Sequence, residues 1–195
     1  YRVMDATGKY ALCDCTGYRL DGTDTEPSMY VGIIVNRSLA DTTDSVTGLG
    51  DVHALVNAIG EMRRVPHEAG FIAIKVDDIA EVNARFGFDA GDRVLAESAA
   101  CLMDCSRGKG RLFRSTGPTF VALFDELGPE AIDEIASDIE RFLGSPVLIG
   151  SLEYQPPIRV AALHLDGVDR QPVSILNELK ALLGKAVQVP GTKLD

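Results

Sequence analysis

The sequence predicts an α/β (α+β) protein: a mixed central sheet flanked by helices, preceded by an N-terminal antiparallel β segment. Three observations predict it. From residue 52 onward, runs with helical spacing alternate with short apolar runs of strand length. Phe71-Ile72-Ala73-Ile74-Lys75-Val76 is continuously apolar apart from one lysine, as expected of a central strand. Residues 1–38 hold only β-rich runs separated by turn residues.

In order, 1–5, 10–20 and 29–35 are rich in β-branched and aromatic residues. Asp5-Ala6-Thr7-Gly8-Lys9 and Asp21-Gly22-Thr23-Asp24 supply the turns between them. Asn36-Arg37-Ser38 and Asp41-Thr42-Thr43-Asp44-Ser45 are polar, and 39–47 reads as a linker. Val52, Leu55, Val56, Ile59 and Met62 predict a helix over 52–65, with basic residues at its end favourable to the dipole. A strand at 71–76 and a helix at 78–86 follow. Next comes the turn Gly87-Phe88-Asp89-Ala90-Gly91-Asp92, which overlaps a helix over 89–105 carried by Val94, Leu95, Ala99 and Leu102. Runs 111–115 and 119–124 predict a hairpin, 129–143 a helix, and 146–150 with Glu153 an extra strand. A strand at 158–165, a helix at 174–183 and a short closing strand at 187–189 complete the chain.

The 195 residues, 46% hydrophobic and 25% charged, are enough for one domain with a sizeable core, or one plus a fragment. A net charge of −10 disfavours a general nucleic-acid binder, which needs a basic face, while leaving room for a local nucleotide pocket. No run approaches the 18 apolar residues of a membrane span, and no secretory leader opens the chain. Starting at Tyr1 inside a β-rich run, the chain reads as an excised fragment of a larger cytoplasmic protein, with any sensor or membrane anchor upstream. Cys13 and Cys15 share a face of a strand and Cys101 and Cys105 a face of a helix. A zinc site, a disulfide and buried thiols all remain open for these four. His53, His67 and His164 are scattered and none reads as catalytic.

Three local sequences carry a resemblance: Asp44-Ser45-Val46-Thr47-Gly48-Leu49, then Gly87-Phe88-Asp89-Ala90-Gly91-Asp92 between two helices, then Arg114-Ser115-Thr116-Gly117-Pro118-Thr119-Phe120 inside the hairpin. Their order and spacing resemble the GGDEF family, the diguanylate cyclases that join two GTP into cyclic di-GMP, over about residues 44–190. The resemblance implies the ferredoxin-like palm of nucleotidyl cyclases. Residues 1–38 resemble the C-terminal strands of a PAS sensor domain; the plainer alternative is an antiparallel sheet lying against the main domain.

Carried over residue by residue, the resemblance implies a site stripped of its reactive groups. The signature positions read Thr116, Gly117, Pro118, Thr119 and Phe120. Thr119 replaces the metal-ligating glutamate, Pro118 the variable acidic residue, and Thr116 a glycine that lets triphosphate approach the backbone. Lys75 stands where the family places its principal metal-binding aspartate, and an ammonium beside a divalent cation is repelled by several kcal/mol at about 4 Å. Asp77 matches the second aspartate, while Ala80 replaces a phosphate-binding lysine. Two readings of Lys75 stay open: it substitutes for the metal charge on a nucleotide phosphate, or it pairs with Asp77 at a strand end.

Asn83 and Asp92 match the residues that read guanine, and an amide with a carboxylate satisfies that base's donors and acceptors. Arg114 matches the arginine before the signature. Arg107 is what survives of the family's inhibitory product site, its aspartate partner being replaced by Gly110. The C-terminal family motif corresponds loosely to residues 178–186, with Lys185 one position out of register.

The expectation is therefore a degenerate GGDEF domain over 48–195, acting in bacterial signalling without making cyclic di-GMP. It relays a sensor state by dimer contacts through 1–38, or binds GTP or cyclic di-GMP without turnover. No cofactor is expected, and no nucleic acid; membrane contact would come only from upstream regions. The alternatives are an active cyclase using Mg²⁺ with GTP at an atypical site, and a pure interaction or dimerisation module.

Overall fold

Alternation along Phe71-Ile72-Ala73-Ile74-Lys75-Val76 sends Phe71 and Ala73 to one face of the sheet and Ile72, Ile74 and Val76 to the other. All five apolar residues are 0% exposed, so both faces of this strand must be covered. The structure, a computed structural model, describes residues 2–4, 10–20, 29–36, 42–62, 69–106, 108–143, 146–149, 151–165 and 171–192. Contacts divide the chain into two units, Tyr1–Asp41 and Thr42–Asp195. In the first, β1 (Arg2–Met4), β2 (Tyr10–Leu20) and β3 (Met29–Asn36) pair antiparallel in that order.

The second unit runs α1 (Val52–Met62), β4 (Ala69–Val76), α2 (Ile79–Phe86), α3 (Phe88–Cys105), β5 (Arg111–Thr116), β6 (Thr119–Asp125), α4 (Pro129–Phe142), β7 (Val147–Ile149), β8 (Leu152–Tyr154), β9 (Ile158–Leu165), α5 (Pro172–Lys185) and β10 (Gln188–Val189). The main sheet has the order β10-β9-β4-β6-β5. Val82, Val94, Leu102, Ile132 and Ile139 of α2, α3 and α4 pack on the face bearing Ile72 and Ile74. Leu55 and Ile59 of α1, with Ile175 and Leu179 of α5, pack on the face bearing Phe71. Among the described residues no helix is long and apolar enough to cross a membrane.

The α+β class stands, but the strand directions differ from the mixed sheet expected: all four neighbouring pairs are antiparallel. The reason is topological. Two helical crossovers join strands of like direction, β4 to β5 and β6 to β9, but a third strand is inserted between each pair, in the manner of a split βαβ unit, while α5 joins β9 to its antiparallel neighbour β10. The only parallel contact among the described residues is the isolated bridge from Gly50 to Phe113.

Three local expectations also change. The turn at 87–92 contracts to Gly87, because α3 already begins at Phe88 with Asp89 in its first turn, where a carboxylate suits the helix dipole. The extra strand after α4 is a hairpin, β7 against β8. The basic end expected for the first helix lies outside the described residues; α1 ends at Met62. At its other end, Asp51 Oδ1 accepts from the His53 and Ala54 amides, both at 2.8 Å, and caps α1.

Candidate functional site

The signature hairpin is a tight turn locked by its own neighbours. Thr116 pairs with Thr119 across it, leaving Gly117 and Pro118 as the two turn residues. Gly117 has φ of 53° and Pro118 is fixed near −65° by its ring, the combination of a type II′ hairpin with glycine first. Both turn carbonyls are occupied: Pro118 O accepts from Val76 N at 3.0 Å, and Gly117 O from Arg114 Nε at 2.7 Å. Phe120 is 1% exposed and belongs to the core.

Arg114 is a clamp. Its Nη1 reaches Asp44 Oδ1 at 3.0 Å and Oδ2 at 3.2 Å, with the two side chains only 15% and 22% exposed. Asp44 also accepts from the Thr47 amide and hydroxyl. Burial opposes the charge on Asp44, but the Thr47 and Arg114 bonds outweigh it and hold the carboxyl below its usual range. The segment before the first helix is thereby tied to the hairpin tip.

Beside the tip, the register places Lys75 between Thr119 on β6 and Arg159 on β9, so the three share one face in a row across the sheet. Asp77, 7% exposed, sits just beyond them. Its Oδ1 takes the Lys75 ammonium at 2.6 Å; its Oδ2 takes Arg159 Nε at 2.9 Å and Gln188 Nε2 at 2.7 Å. Burial again opposes the charge, and the bonds from Lys75, Gln188 and Arg159 overcome it, lowering the pKa. Of the two readings of Lys75, the pairing with Asp77 is the one observed. Next to this row, α1, α5 and the strand ends enclose a cavity of about 650 Å³.

A second group lies where α2 meets α3. Asn83 lies over Gly91 so closely that a Cβ there would fall 1.9 Å from Asn83 Oδ1. That oxygen is buried and finds no hydrogen-bond partner. Asp92 follows Gly91 and is exposed. Arg107 lies outside the described residues.

The donor set does not suit the divalent cations that the resemblance implies. Hard cations need several carboxylate or carbonyl oxygens. At this strand end the buried carboxylate, Asp77, holds three protein donors, Lys75 and Thr119 stand where the family's first aspartate and its glutamate would be, and the neighbouring Asp78 is exposed. Among the described residues no three His, Cys, Asp or Glu side chains converge on a common point. Cys101 and Cys105 lie with their sulfurs 4.0 Å apart on α3, and burial first, then Cys105, pushes the Cys101 thiol up to about 12.

The family model described as "Diguanylate cyclase, GGDEF domain" matches residues 41–160. This chain belongs to the GGDEF family. The cyclic di-GMP phosphodiesterase PdeR of Escherichia coli (strain K12) is 29% identical over 119 residues, which is 60% of this chain and 18% of that protein. The diguanylate cyclase DgcS of Shewanella oneidensis is 29% identical over 84 residues, 41% of this chain and 28% of that protein. The chain thus spans less than a third of the length of these curated relatives. Among solved structures, the FimX GGDEF domain from Pseudomonas aeruginosa superposes with a TM-score of 0.70 at 16% identity, covering 75% of this chain and 94% of that one. At that identity the likeness speaks for the fold alone.

Within this GGDEF fold, two participants escaped the sequence reading, and so did the partnership of a third, the motif residue Asp44, with Arg114. Arg159 and Gln188 complete the Asp77 network, and Asp44 anchors Arg114. Arg159 left one trace, an arginine inside the otherwise apolar run of β9. Gln188 left none.

Proposed function

We propose that this GGDEF domain binds a guanine nucleotide without turning it over and acts as a regulatory module in cyclic di-GMP signalling. The observation that carries the inactive half is Asp77. It is the buried carboxylate at the strand end, and Lys75, Arg159 and Gln188 already take up its oxygens. Phosphoryl transfer depends on positioning and on neutralising charge with metal ions, and nothing here gathers oxygens around one.

The binding half is supported by Asn83. A buried amide oxygen without a partner is costly, and a ligand donor would satisfy it. The N–H groups on the edge of guanine are such donors, and the Asp92 carboxylate next along α3 is a second acceptor. Calorimetric titration with GTP and cyclic di-GMP tests this. Heat that vanishes in Asn83→Ala supports the nucleotide binder. Absence of heat with both ligands would leave a pure interaction module. Cyclic di-GMP formed from GTP and Mg²⁺, followed by chromatography, would overturn the inactive reading.

A further inference from the structure

Cys101 and Cys105 stand one turn apart at the C-terminal end of α3, with their sulfurs 4.0 Å apart and no disulfide between them. Neither takes part in the Asp77 network or in the Asn83 group. Cys105 is buried at 8% exposure, and Cys101 is half-buried, so the pair is reached from the Cys101 side.

A direct bond between them does not suit the helix. Residues four apart on a helix have Cβ atoms about 5–6 Å apart, whereas a disulfide needs them within about 3.5–4.5 Å. Oxidation would have to unwind the final turn, including the bond from Ser106 N–H to the Leu102 carbonyl that closes it. The thiol chemistry points the same way. Burial first, then Cys105 and Asp104, push the Cys101 thiol up to about 12, so it stays protonated at neutral pH and is slow to oxidise.

An atom between the sulfurs fits where a bond does not. Two metal–sulfur bonds of about 2.3 Å meeting at about 120° put their sulfurs about 4.0 Å apart, which is the separation observed. That is a trigonal geometry, with the third position left to an outside ligand. Thiolates select soft cations. Zinc prefers four protein ligands, and among the described residues no third His, Cys, Asp or Glu joins the pair. Met103 stands between them in sequence but on another face of the helix, 48% exposed. The surroundings favour positive charge: the carbonyl end of α3 is the negative end of its dipole, and the exposed Asp104 carboxylate acts on Cys101.

We propose that Cys101 and Cys105 form a two-thiolate site for a soft monovalent cation, copper(I), held between the two sulfurs at the end of α3 with one coordination position open. Binding exchanges two S–H protons, released to solvent, for two sulfur–copper bonds, and copper keeps its oxidation state. The ion bridges consecutive turns, so it stabilises the folded chain by mass action.

The test is anaerobic titration of the whole chain with copper(I) against a chromophoric copper(I) chelator, with Zn²⁺ in parallel. Because Cys13 and Cys15 offer two further thiols, the reference protein is Cys13→Ser with Cys15→Ser. It is expected to take up a single copper(I), with a sulfur-to-copper charge-transfer band in the ultraviolet and a raised melting temperature, and to take up little Zn²⁺. Cys101→Ser and, separately, Cys105→Ala in that background should each weaken copper(I) by at least about a hundredfold, the upper end of what disturbing an outer-shell partner costs. Copper(I) should also shield Cys101 from N-ethylmaleimide in the reference protein, a readout that needs no substitution in α3. No uptake against the chelator, uptake unchanged in Cys101→Ser, preference for Zn²⁺, or unshielded alkylation would overturn the proposal. Ready loss of two hydrogens from the folded reference protein under hydrogen peroxide, seen by mass spectrometry, would make the pair a disulfide switch and overturn it as well.

Discussion

The Lys75 ammonium lies 2.6 Å from Asp77 Oδ1, at the strand end where the GGDEF resemblance implies two aspartates, the first of them the principal metal ligand. A pair that would repel without a cation has become a pair that attracts without one. Asp77→Asn should therefore destabilise the fold: it leaves Lys75 and Arg159 facing each other with no counter-charge. Because both partners are partly exposed, the cost is about 2 kcal/mol rather than that of a fully buried pair, and the melting temperature drops by roughly 4–8 °C. Urea unfolding of the two proteins measures it. An unchanged midpoint would show that the network adds nothing to stability.

Stability should also fall in acid in a defined window. Against the burial that opposes their charge, the hydrogen bonds to Asp44 and Asp77 hold both carboxyls in the folded state below the ordinary aspartate value of 3.8. The unfolded chain then binds protons first as the pH drops, so the stabilisation is fully present above about pH 5 and is lost as the pH falls below 3.8 through the folded values. Denaturation midpoints at pH 7, 5, 4 and 3 should show that limb. Asp77→Asn should flatten part of it; an equally steep limb in the variant would place its origin elsewhere.

Arg114 ties the hairpin to the Asp44 turn, and Arg114→Ala removes the bonds to Asp44 and to the Gly117 carbonyl together. The expected cost is about 2–3 kcal/mol, since a mostly buried carboxylate loses its cation. Arg114→Lys should rescue little, because one ammonium cannot reach in both directions as the planar fork does. Chemical denaturation of both variants decides whether Arg114 is held by structure.

Gly91→Ala sets two effects against each other. Alanine is the better helix former by about 1 kcal/mol, so α3 gains. Its Cβ, however, would fall 1.9 Å from Asn83 Oδ1 and must displace that amide. The expected result is near-normal stability with loss of GTP heat. Unchanged GTP binding in a well-folded Gly91→Ala protein would remove Asn83 from the site.

Much of this was readable from the chain. The run at Phe71-Ile72-Ala73-Ile74 announced a doubly covered strand because both faces demanded apolar residues, and Thr116-Gly117-Pro118-Thr119 announced a hairpin tip because of its turn chemistry. The partners of Asp77 were not readable. Arg159 is 82 residues away and Gln188 111 residues away, and only the order β10-β9-β4 brings them together. Strand direction failed for a related reason: helical crossovers suggest parallel neighbours, and local sequence carries no mark of the strand inserted between them.

The charge deficit at the strand end can be reversed. Lys75 and Thr119 are direct cross-strand partners, so their Cβ atoms lie about 5 Å apart, a span that lets two carboxylates share one cation. Lys75→Asp together with Thr119→Glu should therefore create a divalent-cation site, helped by Asp77, which loses its ammonium partner in the same step. Each single variant supplies only half of the ligands and should bind weakly. Titration with Mn²⁺, followed by loss of the free-ion electron paramagnetic resonance signal, should show clear uptake by the double variant and little by the parent. Equal uptake by the parent would mean that oxygens elsewhere in the chain already gather a metal, and the inactive reading would fall with it.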